Sequence, residues 1–105
     1  TEFVKRVMQY VNDHFMDSIS TRNVAESFNY SKEHFCRLFR LNFTISFTDY
    51  LTQFRIEKAK SLLSENSVSE VATLCGFVDQ SRFSKVFKES AGISPKEFKR
   101  MFLTE

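Results

Sequence analysis

The residues from which a reactive centre would have to be built are few, and their spacing does not assemble one. His14 and His34 lack a nucleophile or a carboxylate at an interval that would set up proton transfer. Asp13 and Asp17 flank the end of a helical pattern and need no further explanation. Cys36 and Cys75 stand far apart, outside any CxxC or His cluster, whereas a structural zinc needs about four ligands. The sequence therefore assigns no catalytic residue, no metal and no cofactor. What remains is hydrogen-bonding chemistry. The stretch Gly76–Lys88, GFVDQSRFSKVFK, has helical spacing, yet its non-core side carries Gln, Ser and Lys rather than a Glu/Lys mixture. Lys or Arg can donate to guanine O6 and N7, and Gln can pair with adenine N6 and N7.

Helices must position these groups. Phe3, Val4, Val7, Met8, Val11 and Phe15 recur at three- and four-residue spacing and predict an amphipathic helix over 2–16. Ser20 caps a short second helix that turns Val24, Ala25 and Phe28 inward, and Asn29 suits the left-handed residue of a tight turn. Ser31 caps a third helix with Phe35, Leu38 and Phe39 on its core side. Ser46–Asp49 has the form of a capping box and opens a helix of about 18 residues through Tyr50, Leu51, Phe54, Ile56, Ala59, Leu62 and Leu63. Ser67–Glu70 is a second box, starting a short helix with Val71, Ala72 and Leu74 inward and closed by Gly76. Asp79 caps the next helix, which ends before Gly92. Ser94-Pro95-Lys96-Glu97 then combines an N-cap, proline at the first helical position and Glu at the third. The expectation is an all-α chain of seven helices, with two Gly and one Pro leaving little turn chemistry for hairpins.

The middle of the chain repeats later. Val24-Ala25 through Phe35, Arg37, Phe39 and Arg40 parallels Val71-Ala72 through Phe83, Lys85, Phe87 and Lys88, with one extra residue in the second turn. Each unit is a short helix, a turn and a second helix, the outline of a helix-turn-helix. The outward stripes repeat as well: Glu33, Cys36, Arg37 and Arg40 in one, Ser81, Ser84, Lys85 and Lys88 in the other. Such a stripe suits a DNA major groove, and a duplicated reader has a use on a repeating polymer.

At 105 residues, with 13 Phe, the chain can bury a core without disulfides or metals. A net charge of +2 does not by itself identify a nucleic-acid binder, so the placement of charge has to decide. No apolar run approaches the roughly 18 residues needed to span a bilayer, which leaves no membrane role and a cytoplasmic location with reduced thiols. Thr1 opens in mid-pattern, as in a piece cut from a longer protein.

Residues 68–100, VSEVATLCGFVDQSRFSKVFKESAGISPKEFKR, closely resemble the C-terminal signature of the AraC/XylS family of bacterial transcription regulators. SKEHFCRLFR resembles the family's first reading helix, and SFTDYLTQFRIEKAKSLL its linker helix, so the likeness covers nearly the whole chain. It implies two helix-turn-helix subdomains, 1–45 and 65–105, joined by a linker helix over 46–64. The third and sixth helices, about 31–41 and 79–90, would enter successive major grooves. The likeness implies base reading by Glu33, Cys36, Arg37, Gln80, Ser81 and Lys85. It implies backbone contacts by Ser31, Arg40, Arg55, Asp79, Ser84 and Lys88. Asn29 and Thr44 stand where the family usually has Gly. The implied partners are double-stranded DNA, RNA polymerase and an absent N-terminal effector, receiver or dimerisation domain, with activation as the output. The competing expectation is a helical protein–protein interaction module without DNA specificity.

Overall fold

The computed structural model describes residues 1–102. Among them it forms seven α-helices and no strand: α1 (Glu2–His14), α2 (Thr21–Ser27), α3 (Lys32–Phe43), α4 (Phe47–Leu62), α5 (Val68–Leu74), α6 (Gln80–Ala91) and α7 (Pro95–Phe102). The starts follow the side chains that satisfy the first free N–H groups of each helix. Ser20 Oγ accepts from Asn23 N at 3.0 Å, Ser31 Oγ from His34 N at 3.1 Å and Asp79 Oδ1 from Arg82 N at 2.7 Å. Ser67 and Glu70 close a reciprocal capping box, with Glu70 N donating to Ser67 Oγ at 3.1 Å and Ser67 N to Glu70 Oε1 at 2.8 Å. Ser94 and Glu97 repeat that exchange at the start of α7.

The chain divides into two compact units, Thr1–Thr52 and Gln53–Glu105, each with its own core. In the first, Val7, Val11, Val24, Ala25, Phe35, Phe39 and Phe47 are buried. Its centre is aromatic: the Phe47 ring meets Phe35 and Phe39 edge-on at 5.5 and 5.4 Å, and Phe39 stacks on Phe43 at 4.1 Å. Such pairs add about 0.5–1.5 kcal/mol each beyond the area they bury. In the second unit Ile56, Ala59, Leu63, Val71, Cys75, Phe83 and Phe87 are fully enclosed, and Phe87 meets Phe98 edge-on at 5.5 Å.

Four expectations from the pattern change. The first helix ends at His14 rather than at 16, with Phe15 as its C-cap. The helix at α4 runs 16 residues rather than 18. It stops because Asn66 Nδ2 donates to Leu62 O at 3.0 Å and Ser64 Oγ to Ser61 O at 2.9 Å, tying off the last carbonyls in a tighter turn. Met8 and Leu74 do not join the core; they are 50% and 38% exposed. Both lie at the margin of their apolar stripe.

Candidate nucleic-acid interface

The two predicted turns match hydrogen bond for hydrogen bond. In the first unit Asn29 N donates to Glu26 O and Tyr30 N to Ala25 O, each at 3.0 Å. In the second Gly76 N donates to Thr73 O at 3.1 Å and Phe77 N to Ala72 O at 3.0 Å. Each pair is a Schellman closure, which requires one residue at positive φ. Asn29 has φ 62° and Gly76 has φ 84°. The second helices end alike: Thr44 (φ 63°) closes α3 with its N–H on Arg40 O, and Gly92 (φ 86°) closes α6 with its N–H on Lys88 O. The four positive-φ residues among the described residues are thus two repeat-related pairs, and each unit is a helix-turn-helix in which α2 packs on α3 and α5 on α6.

Each second helix turns one side inward and leaves the other to solvent. On α3, Phe35 and Phe39 are buried while Glu33, Cys36, Arg37 and Arg40 are exposed. On α6, Phe83, Val86 and Phe87 are buried while Gln80, Ser81, Lys85 and Lys88 are exposed and Ser84 is half-buried. Ser31 and Asp79 sit at the helix starts as N-caps, their side chains already accepting backbone N–H groups. Among the described residues Arg37, Arg40, Lys85 and Lys88 take part in no ion pair. Arg37 Nη2 lies 3.4 Å from His34 Nδ1, and the His34 ring stands edge-on to Tyr30 at 4.8 Å, which steadies the base of this stripe. Cys36, Arg37, Arg40 and Leu41 line one shallow hollow on the outside of α3.

Arg55 differs from the other expected backbone contacts. It is half-buried, with its guanidinium carbon 6.0 Å from the centre of the Phe77 ring. Burial lowers its affinity for the proton from the ordinary Arg value, an effect opposed by Cys75 nearby. Arg55 is therefore part of the packing beneath the second turn as well as a cation. Cys75 is the inert member of the thiol pair: burial pushes it up to about 11, and Arg55 only partly offsets this.

The structure also exposes groups that the pattern did not single out. Arg82 is exposed on the first turn of α6. Leu41 and Val78 are 75% and 86% exposed, the first at the end of the α3 stripe and the second just before the α6 cap. A signal for Val78 was present, since it lies in the turn where the second repeat is one residue longer. Among the described residues no three of His, Cys, Asp or Glu gather to hold a metal. Among the same residues no helix is long and apolar enough to cross a membrane.

Comparison with known proteins bears on this geometry. A family model described as a helix-turn-helix domain matches residues 24–101. The chain is 30% identical over 99 residues to the HTH-type transcriptional activator RhaS of Escherichia fergusonii, covering 92% of this chain and 36% of that protein. The C-terminal domain of AraT, a response regulator from Geobacillus stearothermophilus, superposes with a TM-score of 0.94 at 33% identity, covering 100% of this chain and 89% of that one. The DNA-binding domain of the transcriptional factor AdpA, solved with a target DNA, shares the fold with a TM-score of 0.88 at 24% identity, covering 95% and 91%. The chain spans between 34% and 60% of the length of the first curated relatives it matches. Paired helix-turn-helix units, each with an uncommitted polar stripe, and these likenesses together place the chain in the AraC/XylS family of DNA-binding helix-turn-helix transcription regulators.

Proposed function

We propose that the chain binds double-stranded DNA sequence-specifically, with α3 and α6 as the reading helices, each in a major groove and the two in successive grooves. The observation that carries this reading is the duplicated, exposed stripe of cations and hydrogen-bonding groups behind two identically closed turns. In helix-turn-helix proteins the second helix lies in the major groove and its N-terminal residues meet base edges. Arg37 and Lys85, at equivalent repeat positions, read guanine edges, and Gln80 reads adenine; Glu33, Cys36 and Ser81 complete the base-facing set. Arg40, Lys88, Arg55 and Ser84, with the helix starts at Ser31 and Asp79, hold phosphates and set the register. The division into 1–45, 46–64 and 65–105 follows the same logic, as two readers and a connecting helix.

The output we propose is activation, which the RhaS relative's name, a transcriptional activator, supports; RNA polymerase is the partner we propose for it. Control would come from an effector, receiver or dimerisation domain elsewhere in the full protein, a reading supported by the response-regulator origin of the AraT domain. Selection of bound sites from random duplexes tests the proposal. The expected product is a pair of boxes about one helical turn apart. Arg37→Ala and Lys85→Ala should each weaken binding by about 1–3 kcal/mol and relax preference in one box. No enriched site, or unchanged affinity and preference in both variants, would leave the protein-interaction reading in its place.

A further inference from the structure

The two turns differ by one residue, and the structure identifies it. Tyr30 and Phe77 are equivalent, each donating its N–H to the carbonyl five residues back. In the first unit the cap Ser31 follows Tyr30 directly; in the second Val78 intervenes before the cap Asp79. Val78 thus has no counterpart. It has no packing task either. The residue just before a cap often packs on the fourth helical position, here Phe83. That place is filled by Phe77, whose ring centre lies 5.2 Å from that of Phe83. Val78 remains 86% exposed. A single apolar side chain on a surface needs no explanation in general. This one stands in the turn that delivers α6, two residues before Gln80.

We propose that Val78 is a specificity-determining residue, contacting the 5-methyl group of a thymine at the edge of the box read by α6. The inference rests on the DNA-reading function proposed above and adds an apolar contact to the hydrogen bonds proposed for Gln80, Ser81 and Lys85. Among base edges in the major groove the thymine methyl is the apolar one, and an apolar side chain is its partner. Because Tyr30 is held by Phe3, Phe28 and His34, with ring centres 6.2, 6.4 and 4.8 Å away, the first unit offers no equivalent contact at its turn. Methyl recognition at a turn is therefore confined to one of the two boxes.

The test uses the duplex selected by the unaltered chain, with the α6 box defined as the one whose preference relaxes in Lys85→Ala. Each thymine of that box is replaced in turn by uracil, which removes only the methyl. At one position the unaltered chain should lose about fourfold in affinity, the worth of one buried methyl-sized group. Val78→Ala, which is two methyl groups smaller, should lose most of that difference between the thymine and uracil duplexes. If no thymine responds, or if Val78→Ala keeps the full response, the assignment of Val78 is overturned while DNA reading stands. If the unaltered chain selects no site at all, DNA reading fails and this contact fails with it.

Discussion

Thr44 stands at φ 63°, ψ 0°, in the left-handed region that a β-branched side chain rarely occupies. Its repeat partner is Gly92, around which an added Cβ would meet nothing within 4 Å, so any penalty there lies in the backbone alone. One strained cap and one relaxed cap of the same geometry make a matched pair. The left-handed conformation costs a non-glycine residue about 1–2 kcal/mol, partly offset by the greater freedom that Gly loses on folding. Thr44→Gly should therefore stabilise the protein by up to about 1 kcal/mol, and Gly92→Ala should destabilise it by about 1 kcal/mol, read from urea midpoints at constant slope. A loss in the first variant would mean that the Thr44 hydroxyl, 2.6 Å from Phe43 O, matters more than the strain. The cysteines form a second contrast. Cys36 is exposed and Cys75 buried, so a thiol reagent at pH 8 should modify one thiol rapidly and the other only after unfolding. Cys75 binds its proton more tightly folded than unfolded. Its share of stability is full below about pH 9 and is lost as the pH rises towards 11, which pH-dependent urea melts of a Cys75→Ala control would isolate.

At the scale of elements, α5 and α7 are short, at seven and eight residues, and owe much to their first turns. An isolated helix of that length does not persist in water. The Ser67–Glu70 and Ser94–Glu97 boxes supply partners for N–H groups that would otherwise have none. Ser67→Ala or Ser94→Ala should each cost about 1 kcal/mol by urea unfolding. Backbone and side-chain donors from Ser67 and Ser94 hold the Glu70 and Glu97 carboxyls below the ordinary Glu range. A carboxyl more acidic in the folded state stabilises it above its unfolded pKa, and that share disappears as the pH falls below about 4.5. Glu70→Gln should accordingly flatten the acid limb of the stability profile; an unchanged limb would mean that the box is only geometric.

For the molecule as a whole, charge is unevenly shared. Acidic and basic residues balance in 1–52, and the whole excess of +2 falls in 53–105. If both units bind phosphates through counterion release, affinity must fall linearly on logarithmic axes of salt and binding constant. Lys88→Ala should weaken binding similarly on all sequences and lower the slope of that line by about one. A profile insensitive to salt would remove phosphate contact from the proposal. Lys88 is suited to this measurement because it is exposed and, although its charge helps to depress Glu97, it is in no ion pair among the described residues.

Helix number, helix order and the caps at Ser20, Ser31, Ser67, Asp79 and Ser94 were legible in the sequence, because each is decided by neighbours three or four residues apart. The repeat was legible for the same reason: Val-Ala, the turn and the Phe pair recur at fixed intervals. The exposed stripes followed from periodicity, and the roles proposed for their members from the family likeness. Other features depended on which surfaces meet. Whether Met8 and Leu74 are covered, and that Arg55 lies over Phe77, depend on contacts between different segments of the chain. The status of Val78 was likewise decided by packing, because the sequence shows an extra turn residue but not that Phe77 has already taken the place on Phe83. Local hydrogen bonding and periodicity are properties of the chain alone; burial is a property of the folded object, since a side chain is inside only when another segment arrives to cover it.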